Sequence, residues 1–347
     1  SAKTLTYNGV ITGSGGFTKT GAGTLVLGGT NLNSGSFAVN AGTATLNIAN
    51  AIASVSGVSV ANAAGATLNI NGFAQTFYGI SGGGSTGGAI TLGNGVLTLS
   101  PTTNSTFAGI ISGTGSIIKA GTASLTLSGA NTYSGGTTVS AGTLTAGVST
   151  VGSITSGPFG TGAVTVSSGA TLDVNGYSIS NALSLSGTGD SSNGALYNSS
   201  ASTASATGAL TLLSNTTIKE LGGLTLGSIN GAFALTLNTL GSGVAIFGGA
   251  VGNSTNLTSL TTAPSAGSAG ITISGGSITT TGDLSLGNAI TLGANTTLTS
   301  ANTITLGTAI SGAGYSLSIS NNVIISTAIS GFSSLTVGGT TSLGGNV

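Results

Sequence analysis

Residues Gly9 to Asn31 return, in register and without a gap, as Gly109 to Asn131. Lys19 falls on Lys119, Leu25 and Leu27 fall on Leu125 and Leu127, and Asn31 falls on Asn131, an offset of 119 − 19 = 100. Gly35, Val39 and Gly42 continue the match onto Gly135, Val139 and Gly142. Gly65–Gly72 then returns as Gly169–Gly176, offset by 169 − 65 = 104, so the duplicated block covers roughly the first half of the chain. A shorter beat runs through the last third: Leu286-Gly-Asn-Ala-Ile290, Leu306-Gly-Thr-Ala-Ile310 and Ile325-Ser-Thr-Ala-Ile329, at offsets of 306 − 286 = 20 and 325 − 306 = 19. Repetition of this kind limits a chain to stacked architectures, and a propeller would repeat at roughly 40 to 50 residues. A period near 20 fits one turn of a β-solenoid holding about three short strands, with coils stacked about 4.8 Å apart. Carried through the whole chain, that period predicts roughly 17 turns and a length of about 80 Å.

The local pattern agrees with strands. In Ser124 to Ser128 and Thr137 to Thr145, Leu125, Leu127, Val139 and Leu144 alternate with Ser and Thr, and glycines bound each run. Alternation sends apolar side chains to one face and hydroxyls to the other. Glycine at the boundaries permits tight turns. Similar strands are expected at Lys3–Tyr7, Thr43–Ile48, Val55–Val60 and Ala66–Ile70. No sustained 3.6-residue pattern exists, and Gly and β-branched residues dominate, which argues against helices. The fold class is therefore all-β, a β-solenoid with a coil of about 20 residues. It divides into a solenoid over 1–186 holding the two repeat copies, a Ser/Asn/Ala-rich loop or irregular coil over 187–208, and a continuing solenoid over 209–347.

Charge excludes several functions. Only 2% of the 347 residues are charged, with zero net charge and no His, Cys, Met or Trp. A typical soluble domain carries roughly 25%. No basic patch exists for a phosphate backbone, so nucleic acid is not a partner. No apolar run reaches the roughly 18 residues of a membrane helix, so no membrane insertion of this segment is expected. No disulfide can staple the chain, and stability must come from burial and backbone pairing. It begins at Ser1 with no visible signal peptide, as expected of a processed form or a fragment.

Candidate chemistry is sparse. The acids are Asp173, Asp190, Asp283 and Glu220, and with no His or Arg the usual general bases and oxyanion partners are missing. Asp173 and Asp190 are separated by 190 − 173 = 17 positions in sequence, close to one coil, but solvated turn residues are the better reading. Gly187-Thr-Gly-Asp190 has one fragment of a calcium-binding β-roll motif, which needs repetition. Gly82-Gly-Gly84 lacks the Gly-Lys-Ser/Thr of a phosphate loop and reads as a turn. Lys219 and Glu220, adjacent in a strand, point to opposite faces. Lys19 and Lys119 are expected to cap strand edges, and the turn residues Asn31 and Asn131 to stack in amide ladders. The Thr43/Thr45, Thr143/Thr145 and Thr303/Thr305 pairs show no uniform coil-to-coil spacing in sequence, which argues against an ice-binding array. The scattered aromatics are expected to fill the core or cap turns. No catalytic, cofactor-binding or metal-ligating residue is assigned, no cofactor is expected, and the chain is not expected to be an enzyme.

The stretch Lys119-Ala-Gly-Thr-Ala-Ser-Leu-Thr-Leu-Ser-Gly-Ala-Asn-Thr-Tyr133, followed by Gly135-Gly-Thr-Thr-Val-Ser-Ala-Gly-Thr-Leu144, resembles the autotransporter-associated β-strand repeat, or passenger-associated transport repeat. Phe159 to Gly176 resembles its usual sequel. The first copy departs from the pattern, with Leu32 and Asn33 in place of Thr132 and Tyr133. Beyond Gly208 the likeness is one of style only. The resemblance implies a right-handed parallel β-helix, secreted to the outer surface of a Gram-negative-type bacterium or beyond it, with no catalytic residues to carry over. Such proteins end in a membrane β-barrel with an aromatic terminus. Thr341–Val347 is not of that kind, so the expectation is a cleaved or omitted barrel or another export route.

A charge-free surface of Ser, Thr, Asn and Gly gives little repulsion between copies, and solenoid ends offer open strand edges. Ser1 to Val10 and Leu335 to Val347 show no cap. The first functional expectation is a non-catalytic extracellular subunit that assembles with itself, end to end or laterally, into a bacterial surface filament or sheath. The alternative is a monomeric passenger stalk of an autotransporter-like adhesin, contacting glycans, a host or an abiotic surface.

Overall fold

A computed structural model describes residues 3–53, 57–152 and 154–343. The N-terminal part of the expected strand Val55–Val60, and the chain's first two and last four residues, lie outside the described residues. The chain is a parallel β-solenoid whose only helical turn among the described residues is Asp190–Ser192. It forms two compact units, 1–165 and 166–347.

In the first unit three ladders of short strands build the coil walls. The first holds Thr4–Tyr7, Thr24–Leu27, Thr43–Leu46, Thr67–Asn69, Ala89–Thr91 and Ile111–Ser112. The second runs through Phe17–Lys19, Phe37–Val39, Gly57–Val60, Gly79–Gly82, Ser105–Phe107, Leu125–Leu127 and Gly142–Ala146. The third includes Gln75–Phe77, Val96–Leu99, Ser116–Lys119 and Thr137–Val139. Parallel pairing stacks like on like: Leu25, Ala44, Leu68, Ile90 and Ile111 follow one another inside the coil. Each fully buried Leu, Ile or Phe contributes about 1.5–3 kcal/mol. Phe17 and Phe37 stack across adjacent coils with ring centroids 5.6 Å apart.

Coil length varies, and this displaces the sequence repeat. From Lys19 the second ladder steps through Val39, Val60, Gly82 and Phe107 to Leu127, so five coils span an offset of 127 − 19 = 108. An offset of 100 is therefore not a whole number of coils. Lys119 falls on the third ladder, between Leu99 and Val139. Leu27 lies on the first ladder, yet its counterpart Leu127 lies on the second. The second repeat copy is thus turned by one wall about the coil.

In the second unit the short beat is one coil. Leu286 pairs with Leu306 and Leu306 with Ile325, while Ile290 pairs with Ile310 and Ile310 with Ile329. The segment 187–208, expected as a loop or irregular coil, instead holds the strands Leu196–Asn198 and Ala204–Ala206. Leu196, Ala204 and Ala206 take the inward positions of these strands and are buried. The strand Leu210–Glu220 turns a corner, pairing first with Leu183–Leu185 and then, after a register shift, with Leu196–Asn198.

Candidate functional site

The polar residues that the repeat singles out are buried within it. Lys119 ends a strand on an inward position and is fully buried, with its ammonium donating to the carbonyls of Gly121 and Ala141, the latter at 2.9 Å. Lys19 repeats the arrangement on its own wall, donating to Thr20, Gly21 and Ala41 at 2.6–2.9 Å. Both lysines therefore clip a turn to the turn of the next coil from inside, rather than capping an exposed edge. Alternation places their side chains inward, and the backbone carbonyls at the corner supply the acceptors.

Asn31 and Asn131 do not form amide ladders. Asn131 accepts from Ile111 N at 2.8 Å and donates to Pro158 O at 2.7 Å. Asn31 likewise accepts from Ile11 N and donates to Ala51 O. Each amide bridges the backbones of neighbouring coils, satisfying backbone groups at the coil corners. Tyr133 fills the core as expected, fully buried with its hydroxyl 2.6 Å from Thr137 Oγ1.

The acids do not assemble a reaction centre. Asp173 is buried, not solvated. Its carboxylate accepts from Asn175 N at 2.9 Å and from the Ser199 hydroxyl at 2.7 Å. Asn69, its counterpart in the first unit, accepts from Asn71 N at 2.8 Å, and Asn71 and Asn175 share a left-handed φ (51° and 47°). Asp173 is thus a turn former in which a carboxylate replaces an amide. Burial raises its pKa, and the bonds from Ser199 and Asn175 partly offset the rise. Asp190 is half-buried in the helical turn Asp190–Ser192, where its backbone N–H donates to Thr171 Oγ1 at 2.9 Å and its carboxylate accepts from the Ser191 hydroxyl at 3.2 Å. Glu220 points inward and Lys219 outward, as adjacency requires. Glu220 Oε2 accepts from Gly223 N at 2.6 Å, Oε1 has no partner among the described residues, and burial raises the carboxyl pKa. Among the described residues no group of three His, Cys, Asp or Glu side chains could hold a metal.

The outer walls carry what the sequence reading missed. Outward residues also stack in register: Ser59, Ser81, Thr106, Thr126 and Thr145 form one hydroxyl column on the second wall of the first unit. On the first wall Thr4, Thr24, Thr43 and Thr67 align beside Thr6, Val26, Thr45 and Asn69. The Thr-x-Thr pairs singled out in the sequence do not stack on one another: Thr43 and Thr45 stand on this first wall, Thr143 and Thr145 on the second, and Thr305 pairs with Ser285 and Ile324 in the second unit. Val26, Asn69 and Ala89 interrupt that first-wall array. On the second wall a groove of about 710 Å³ opens over Gly57 and Gly79. Ser59, Ser81 and Thr106 line it, and Tyr78, 41% exposed, forms one side. The segment 102–104, part of the long step from Gly82 to Phe107, lines the groove as well. Among the described residues no charged side chain lines the groove.

Comparison with known proteins bears on the repeat. The family model described as passenger-associated-transport-repeat matches residues 17–43 and 117–146. This is a β-solenoid bearing passenger-associated transport repeats. Both matched segments start on the strand that carries a buried lysine, Lys19 or Lys119, and run through the turn that it clips. The chain is also similar to the adhesin BmaC autotransporter of Brucella suis biovar 1, 42% identical over 104 residues. That segment is 29% of this chain and 3% of the relative, so the chain spans a small fraction of that protein's length. No solved structure matches. No helix among the described residues is long and apolar enough to cross a membrane.

Proposed function

We propose that this chain is part of the passenger of a surface-exposed, adhesin-like protein of a Gram-negative bacterium, and that its solenoid is a non-catalytic scaffold. The observation that carries the reading is the pair of transport repeats, each built around a lysine-clipped turn. The likeness to a segment of an autotransporter adhesin supports it. The absence of His, Cys and Arg, and the structural use of Asp173, favour a scaffold over an enzyme. Burial of polar groups inside and a mostly uncharged outside make the walls insensitive to ionic strength, which suits a protein in an unbuffered exterior.

Antibody raised against the chain should label intact cells of the organism that encodes it, and added protease should remove the label. Labelling that requires lysis refutes the surface reading. Self-assembly into a filament or sheath is the second reading, favoured by the hydroxyl columns that leave little repulsion between copies. Electron microscopy of the purified protein at rising concentration decides between them: fibres support the filament, and single particles throughout support the passenger reading.

A further inference from the structure

The geometry points to a binding site for a neutral oligosaccharide in the groove beside Tyr78. The inference does not rest on where the protein resides.

The groove exists for a local reason. In the second ladder of the first unit, the outward positions next to Val58 and Ile80 are Gly57 and Gly79, so two successive coils present no side chain there. A Cβ at Gly57 would meet nothing within 4 Å, and one at Gly79 would touch Ser105 Oγ and Pro101 at 3.7 and 4.0 Å. Neither glycine has a positive φ that would demand glycine. The missing side chains are therefore not required by the backbone, and their effect is to leave room.

What lines the room restricts the ligand. Among the described residues no charged side chain is present there, so neither an anion nor a cation gains a partner. Val58 and Ile80 are buried beneath the sheet, which leaves Tyr78 as the exposed large apolar surface on the lining. A lipid or other wholly apolar ligand would thus meet mostly hydroxyls. The strands lie inside a ladder paired on both sides, so an extended peptide finds no free edge to add to. A ligand that fits must carry many hydroxyls and one apolar face. A pyranose does: its C–H face can lie against the electron-rich face of Tyr78, and its hydroxyls can exchange hydrogen bonds with Ser59, Ser81 and Thr106. These three stand on successive coils about 4.8 Å apart, and Thr126 and Thr145 continue the column. An oligosaccharide running along the column meets the same donor and acceptor at each coil. The volume lies within the range of about 300–1,000 Å³ usual for small-molecule sites.

The test is affinity electrophoresis of the full chain in native gels containing mannan, xylan, β-glucan, galactan or starch, with calorimetry on the matching oligosaccharides. Heparin serves as the charged control. The expected result is retardation by at least one neutral polysaccharide and none by heparin. Gly57→Leu and Gly79→Val, which fill the groove without backbone strain, should abolish it. Tyr78→Ala should weaken it about 10-fold and Tyr78→Phe should retain it. Circular dichroism confirms that each variant folds; if Tyr78→Ala does not, the glycine variants decide. Retardation by none of the five, or unchanged binding by the groove-filling variants, overturns the assignment. Either result leaves the surface-labelling experiment unaffected.

Discussion

Replacing Lys119 with Met tests whether the buried lysine holds the repeat together. Methionine keeps a flexible stem of similar length on the inward position between Leu99 and Val139 and deletes only the ammonium. The carbonyls of Gly121 and Ala141 then lose their donor. Hydrogen bonds to a charged group contribute about 1.5–3 kcal/mol each. Both acceptor residues are half-buried, so water recovers part of that loss. Relief of the ammonium's desolvation offsets a further part. The balance is a net destabilisation of about 2 kcal/mol, which at an m-value of about 3 kcal/mol/M lowers the urea midpoint by about 0.7 M. The assay is urea unfolding followed by far-ultraviolet circular dichroism, with hydrogen exchange at Ala120 and Ser140, whose amides pair across the same corner. Exchange should accelerate there before the remainder of the unit. Lys19→Met should behave in the same sense although it sits on another wall, because its contacts are the same. A Met variant as stable as the parent, with unchanged exchange at the corner, refutes the clip and makes the ammonium a tolerated burden.

Glu220→Gln should alter the response to pH. Burial raises the folded-state pKa of Glu220 above its ordinary 4.5, so the folded protein holds this proton more tightly than the unfolded chain does. The resulting stabilisation is full below the ordinary value and is lost as pH rises through the folded-state pKa. Thermal melts should show the wild type gaining stability as pH falls towards 4.5 and the Gln variant gaining less; equal slopes contradict the assignment. Phe107→Ala, which empties a fully buried position of the core, should cost about 3–5 kcal/mol in the same urea assay. Gly109→Ala and Gly57→Ala form a contrasting pair. A methyl at Gly109 would overlap the Gly88 carbonyl oxygen of the preceding coil, a cost of about 1–3 kcal/mol, whereas at Gly57 the space is open and stability should hold or rise slightly. Equal effects of the two would show that coil spacing there is not fixed by backbone contact.

Much of this molecule follows from local pattern. Alternation of Leu and Val with Ser and Thr, broken by glycine, determines which side chains face inward, because a strand has a period of two wherever it lies. The spacings from Leu286 to Leu306 to Ile325 determine the coil of the second unit, since parallel pairing rewards like over like at each turn. The turn at Asn71 and its return at Asn175 are likewise written in the residues that make them.

What the chain alone leaves undecided is the angle at which each repeat enters the stack. The steps between paired positions are unequal, short from Leu125 to Leu144 and long from Gly82 to Phe107, and their differences accumulate. The repeat offset therefore carries Lys119 to a different wall from Lys19, and no pairwise comparison of the two copies reveals it. The same accumulation brings Ser59, Ser81 and Thr106 into one column and places Tyr78 and the segment 102–104 on one groove. Burial of Lys119 and Glu220 was equally hidden, because a charge is accepted inside only where the neighbouring backbone supplies partners. Inward and outward are properties of a strand and were set by its own residues; neighbours across coils are properties of summed loop lengths, and only the folded stack fixes those.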